Sequence, residues 1–260
     1  MILPIFAYHR ICASKDYVPS RWIVSEQAFR KQLGYLKSRN CYTPTSFDLL
    51  DPGGAGARQT GKPILLTFDD GYSDILDVAL PILKEFGFSG IVSCLADFSR
   101  LTNWWDGKKN IPPARLLGPD EVKLLDSAGL EIASHTMSHP HLPLLDRNLM
   151  REELAKSKEV FEDLLGKEVR IFTYPYGETD RFVKAAVRET GYRCALAAFT
   201  GPISFDSDLF EIRRTEIRDQ HNSIFLESTL LGIQYLRGWA TRAVREQLHL
   251  LRLTRRPQAP

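Results

Sequence analysis

The sequence predicts an α/β fold, a (β/α) barrel of irregular shape with about seven strands, and three observations carry that expectation. Short apolar or β-branched runs alternate with segments of helical period along most of the 260 residues. Strand, helix and strand recur at the spacing of a parallel sheet, and about seven such units suggest closure into a barrel rather than an open sheet. Gly and Pro punctuate the connections, with no internal repeat and no low-complexity tract.

The elements follow in order. ILPIFAYH (2–9) reads as the first strand, followed by a helix over Ser25–Arg39 whose start Ser25 caps. ILLTF (64–68) is the second strand, with a helix from about Ser73 to Phe86; GIVSCLA (90–96) is the third, with a helix after Pro119. LEIAS (130–134) precedes a long amphipathic helix from about Asp146 to Leu165, and RIFTY (170–174) precedes a helix near Asp180–Thr190. CALAA (194–198) and a late strand near Glu211–Ile217 complete the set. The expected organisation is a barrel over 1–232 and a basic helical tail over 233–260.

Composition narrows the class. An apolar share of 43% with 25% charged residues is that of an ordinary soluble protein. Cys12, Cys41, Cys94 and Cys194 form no CxxC pair, and the opening MILPIFAYHRI lacks the marks of a signal peptide. No apolar run approaches the roughly 20 residues that span a bilayer. A reduced, cytoplasmic protein is expected. A net charge of +2 argues against general nucleic-acid binding, although the tail carries six Arg against Glu246 alone. There Tyr235, Trp239 and several Leu mix with Arg at helical intervals, which suits a helix on an anionic surface at the inner membrane or a last helix covering the barrel.

One motif misleads. Gly56–Lys62 (GARQTGK) has the spacing of a phosphate-binding loop, but Pro63 replaces the Ser or Thr that would hold magnesium and a strand follows in place of a helix. It reads as a surface loop.

In a (β/α) barrel the reactive groups gather at the C-terminal ends of the strands. Here ILLTF runs into Asp69, Asp70 and Gly71, LEIAS into His135 and His139, and RIFTY into Pro175, Tyr176 and Gly177. Adjacent carboxylates oppose each other unless a cation or a proton lies between them. His135 and His139 are four apart, so one helical turn would set both rings on one side; with one carboxylate they make a two-His, one-carboxylate metal set with open positions. His141, beyond Pro140, would face elsewhere. Taken alone, HxxxH suits a hydrogen-bonded polar loop and DDG a capped turn; at the strand ends of one barrel, the metal site is the better reading.

TFDDGY (67–72), SHTMSH (134–139) and YPYG (174–177), in that order, resemble the first three motifs of the polysaccharide deacetylases, the NodB-homology family or carbohydrate esterase family four. The resemblance runs from about Leu3 to Gly232 and takes in YHRI (8–11), NWWDG (103–107) and RRTEIR (213–218), as in bacterial exopolysaccharide-cluster members. It implies a NodB-like distorted barrel and metal-dependent removal of acetyl groups, usually N-acetyl from an amino sugar. Asp69 would be the general base, Asp70, His135 and His139 the ligands of a divalent metal, Zn2+ first among the choices, and the Tyr176 backbone N–H a donor to the oxyanion.

Two departures stand out. The Arg that pairs with the base in the third motif of chitin-deacetylase-type members is Thr173 here; Arg213 or, by preference, Arg214 would supply the cation from the last strand region. The Leu-x-His motif that carries the general acid is missing, which leaves His9, at the end of the first strand, ahead of His221, with His249 in the tail. Trp104 and Trp105 offer aromatic faces to a sugar ring, Trp105 in the site and Trp104 equally suited to the core. Tyr176, Trp105 and Arg214 are thus the expected substrate-side residues, and Tyr174 packing at the barrel mouth. The expected partner is a carbohydrate bearing an N-acyl group, and a cytoplasmic setting fits a biosynthetic precursor. Hydrolysis of another carbon–nitrogen bond, such as a sugar formamide, and a non-catalytic carbohydrate-binding barrel are the alternatives.

Overall fold

The computed structural model describes residues 3–44, 60–106, 113–197 and 208–233. Seven parallel strands form one sheet: β1 (Ile5–Tyr8), β2 (Leu65–Phe68), β3 (Ile91–Cys94), β4 (Glu131–Ser134), β5 (Ile171–Thr173), β6 (Cys194–Leu196) and β7 (Thr215–Glu216). Their spatial order is β6-β5-β4-β3-β2-β1-β7. Ile212, three residues before β7, bridges in parallel to Leu196 of β6. That single bridge joins the two edges, so the sheet curls into a distorted, narrowly closed barrel, as the alternation of strand and helix predicted.

Side-chain parity sorts the strand residues onto two faces. Ile5, Leu65, Ile91, Ala133, Ile171, Cys194 and Leu196 form an interior cluster. Their neighbours Phe6, Tyr8, Leu66, Phe68, Val92, Ile132 and Phe172 point outward and pack beneath the helices. The pairing Ile5↔Leu65 and Ala7↔Thr67 keeps interior residues opposite interior residues, and Ser93↔Ala133 and Thr173↔Leu196 do the same further round. Thr67, Ser93 and Thr173 make a second, polar interior layer above the apolar one, all three fully buried. One step further along the same parity come Asp69 and His135.

The helices begin where a side chain satisfies their first N–H groups. Ser25 caps α1 (Glu26–Ser38), Asp146 caps α4 (Arg147–Leu165) and Asp180 caps α5 (Arg181–Glu189), while α3 (Pro119–Ser127) starts on Pro119 with Glu121 reaching back to the Gly118 N–H. The helix expected from Ser73 opens instead as a π turn, Ile75–Ala79, before α2 (Leu80–Phe86). Pro81 lacks the N–H that would donate an α bond to the Asp77 carbonyl, which accounts for the wider turn there. A further helix, α6 (Ser223–Leu230), was not foreseen; Asn222 caps it by accepting from the Ile224 and Phe225 N–H groups.

Among the described residues no helix is long and apolar enough to cross a membrane. The basic tail beyond Ile233, with His249, and most of the Gly56–Lys62 loop lie outside the described residues.

Candidate active site

A cleft opens at the C-terminal end of the barrel. Asp69, Asp70, His135, His139, His9, Trp105, Tyr176 and Arg214 all line it. Every residue placed in the site from sequence therefore converges on one cavity.

The donor cluster comes from two strand ends. Asp70 follows β2 with φ 70°, and this left-handed turn swings its carboxylate toward β4 while Asp69 keeps the strand direction. His135 extends β4 directly. His139 reaches the same point by a route that differs from the expected helical turn: residues 135–139 form a bent loop in which Thr136 (φ 71°) and His139 (φ 60°) both adopt the left-handed conformation. The Thr136 hydroxyl accepts from the His139 N–H at 3.0 Å. Glu153 of α4 accepts from the Met137 and Ser138 N–H groups at 2.9 and 3.1 Å and from the Ser138 hydroxyl at 2.6 Å. With Tyr176 (φ 57°), four of the five non-glycine residues with positive φ among the described residues belong to this site. Such conformations cost on the order of 1–3 kcal/mol each and persist where surrounding contacts determine them.

The His135 and His139 Nε2 atoms stand 3.2 and 3.4 Å from the same oxygen, Asp70 Oδ1. One donor atom from each of the three residues lies within 4.8 Å of the others, and all three residues are buried. The His135 Nδ1–H donates to the Thr173 carbonyl at 2.7 Å, which orients the ring so that Nε2 faces the carboxylate. Ring nitrogens at that range from a carboxylate oxygen are held to it by a proton or a cation between them. The separations match the roughly 3.3 Å edge of a tetrahedron built on bonds of about 2.0–2.1 Å, so the residues fit a divalent cation of zinc type. Burial alone would raise the Asp70 carboxyl, but the two imidazoles outweigh it and hold it well below the usual carboxylate range.

Asp69 is handled differently. The Arg214 guanidinium grips both its oxygens, Nη1 to Oδ1 and Nη2 to Oδ2, each at 2.7 Å. Arg214 is 2% exposed and also donates to the Thr67 hydroxyl and the Ala197 carbonyl. All these partners are protein groups, so Arg214, which also lines the cleft, supplies the cation beside Asp69 from the last strand region. Burial pushes the Asp69 carboxyl up, Arg214 pulls it down, and the net direction is down. Arg213 turns the other way, to Glu211. Thr173 takes no part in holding the base: its hydroxyl pairs with Ser93 at 2.8 Å and its carbonyl orients His135.

His9 lies at the cleft against Trp22, ring centroids 4.5 Å apart. His221 lies outside the cleft lining: its Nδ1 accepts from the Arg218 N–H, its ring stacks on Phe225 at 3.6 Å, and burial lowers its pKa to about 4. Trp105 stacks on His139 at 4.5 Å and 21°, and Trp104 packs edge-on to Trp105. Tyr174 is buried, with its hydroxyl donating to the Phe210 carbonyl. His141 leaves the donor cluster and stacks on Tyr176. Sequence reasoning missed Trp22, Tyr72, Glu216 and Glu153. Trp22 has no motif to mark it, but Tyr72 ends TFDDGY and Glu216 falls within RRTEIR, and a Glu on the helix after a His loop was a signal available from spacing.

Residues 56–195 match the polysaccharide deacetylase family. YxkH of Bacillus subtilis (strain 168) is 26% identical over 216 residues, covering 83% of this chain and 71% of that protein. The Streptococcus pyogenes deacetylase PplD, solved in complex with acetate, superposes with a TM-score of 0.74 at 21% identity over 88% of this chain and 98% of that one. IcaB from Ammonifex degensii gives a TM-score of 0.72 at 22% identity over 88% and 97%. At these identities the two structures speak for the fold. The family match spans more than half of the sequence and contains the aspartate pair, both donor histidines and Tyr176, so the chain belongs to the polysaccharide deacetylase family and is a hydrolase acting on non-peptide carbon–nitrogen bonds.

Proposed function

We propose that this protein removes N-acetyl groups from an amino sugar, within a polysaccharide or its precursor, with the aid of a divalent metal held by Asp70, His135 and His139. The observation that carries the proposal is the meeting of both Nε2 atoms on one Asp70 oxygen, beside a second aspartate that Arg214 keeps ionised. When bound, the cation, zinc by the preference of this donor set, supplies Lewis acidity that polarises the acyl oxygen and acidifies water.

The chain's own residues supply the rest. Asp69 accepts the proton of the attacking water; the Arg214 fork fixes both its oxygens in orientation and leaves their outer lone pairs toward the cleft. The Tyr176 backbone N–H donates to the oxygen on which negative charge develops. His9, on the opposite strand end, returns a proton to the leaving amine. His9 rather than His221 suits this step because it faces the cleft, whereas His221 spends its Nδ1 on the backbone. Trp105 shields His139 and offers the cleft an apolar wall suited to a pyranose face. Acetate bound to PplD is in keeping with an acetyl product.

The test is release of acetate from a pentamer of N-acetylglucosamine by the zinc-loaded full-length chain, with an N-formyl pentamer as the second substrate. Asp69→Asn is expected to lower acetate release by about 10²–10⁴-fold, the usual contribution of a positioned acid or base. Formate release in place of acetate would move the acyl specificity, and undiminished release by Asp69→Asn would remove that residue from the chemistry.

A further inference from the structure

Of the three imidazoles in the loop after β4, His141 alone stands apart from the donor cluster. Its ring lies flat on that of Tyr176, centroids 3.8 Å apart and planes within 7°. Its Nδ1–H donates to Glu178 Oε2 at 2.8 Å. Glu178 is two residues past Tyr176, and its own N–H returns to the Pro175 carbonyl at 3.2 Å. His141 and Glu178 thus bracket the Pro175–Gly177 turn, one from above the ring and one from the chain beyond it.

Tyr176 needs such support. Its φ of 57° is one that bulky residues rarely adopt, and it fixes the plane of the peptide that carries the N–H. The opposite contact of the ring is an edge-on approach to the donor His139 at 4.5 Å. A rigid stack on His141 holds the ring between these two imidazoles and sets the direction of the backbone.

We propose that His141 and Glu178 form a clamp that holds Tyr176 in its left-handed conformation and aims its N–H into the cleft. Both are positioning residues, neither acid nor ligand. The catalytic consequence rests on the oxyanion role given to Tyr176 above; the conformational one does not. Because the His141–Glu178 hydrogen bond is between half-exposed side chains, the stack carries most of the effect.

The experiment combines hydrogen exchange over residues 174–178, kinetics on the N-acetylglucosamine pentamer and zinc content, for wild type, His141→Ala and His141→Phe. In His141→Ala the Tyr176 amide is expected to exchange about tenfold faster, as a local opening equilibrium shifted by one decade would give. Its kcat should fall about tenfold with KM and zinc content unchanged, as a misaimed donor would give. His141→Phe keeps the stack and should restore both to within about threefold of wild type. Wild-type exchange in His141→Ala overturns the clamp. So does a His141→Phe variant as impaired as His141→Ala, which would make the imidazole a proton carrier, or loss of zinc from His141→Ala, which would make it part of the metal site. A wild type that releases no acetate defeats the catalytic reading, and the exchange measurement then decides the clamp alone.

Discussion

Arg214 shows most directly how one residue can be required both for the fold and for the site. It is buried with Asp69, and removing one member of a buried pair leaves an uncompensated charge. Arg214→Met is expected to cost about 3–5 kcal/mol of stability in urea unfolding, and Asp69→Leu in the same chain to recover much of it. Arg214→Lys should fail to restore activity in the acetate assay, because an ammonium cannot grip both carboxylate oxygens. The need for a cation near Asp69 was legible in the sequence once Thr173 occupied the third-motif position. That the cation would come from the last strand region, from Arg214 in preference to Arg213, was legible too; its grip on both Asp69 oxygens and its further bonds to Thr67 and Ala197 were not, since pairing across 145 residues leaves no local pattern. Gly71 makes a smaller point at the same scale. With φ 66° and an added Cβ meeting the Cys94 Cα at 3.2 Å, Gly71→Ala should cost at least about 1 kcal/mol and disturb Asp70, read as a lowered thermal midpoint together with weakened zinc binding.

At the scale of elements, the loop 135–139 is where spacing misled. Two histidines four apart fit a helical turn, yet this segment leaves a parallel strand whose His135 N–H already bonds to the Cys94 carbonyl, so the backbone turns through two left-handed residues instead. What makes that turn affordable is the Glu153 carboxylate from α4. Glu153→Gln removes the charge from three hydrogen bonds and is expected to weaken zinc affinity by about 10-fold or more, measured by competition with a chromogenic chelator, as loss of supporting contacts around a metal commonly does. The entry to α6 carries a pH signature. The folded pKa of His221, about 4, lies below the ordinary imidazole value of 6.5, because burial disfavours the charged ring and the Arg218 charge beside it adds to that. The unfolded chain therefore binds the proton first, so the contribution is complete above pH 6.5 and is lost as the pH falls from there toward 4. For a half-buried ring the loss should amount to about 1–2 kcal/mol between pH 7 and 4, seen as a fall in urea midpoint that His221→Asn lacks.

At the scale of the whole molecule, the sequence made the barrel legible because parallel strands and their covering helices repeat at a regular interval. The eleven strands and helices expected up to residue 197 appear with boundaries shifted by a few residues. The short closing strand and α6 were harder to read: β7 has two residues, and its pairing to β1 and the Ile212–Leu196 bridge are contacts across long stretches of chain. The site follows from the same parity that builds the core. Leu65, Thr67 and Asp69 climb one interior face, as do Ala133 and His135 on β4, so an apolar floor, a polar middle layer and a charged mouth are consecutive steps of one pleat. With the proposed metal bound at its mouth, this architecture would tie metal binding to folding. A cation that binds only the assembled cluster should stabilise the protein by about 2.7 kcal/mol at a hundredfold excess over its Kd, visible as a higher unfolding midpoint.

The central claim is that Asp70, His135 and His139 together hold one cation. Its most direct test is isothermal titration of zinc into metal-stripped full-length protein, beside Asp70→Asn, His135→Ala and His139→Ala. The account predicts a single tight equivalent for wild type, and for each variant an affinity lower by at least about tenfold, the loss expected when a metal site is disturbed. Wild-type protein that takes up no zinc, or variants that bind it as tightly as wild type, would contradict it.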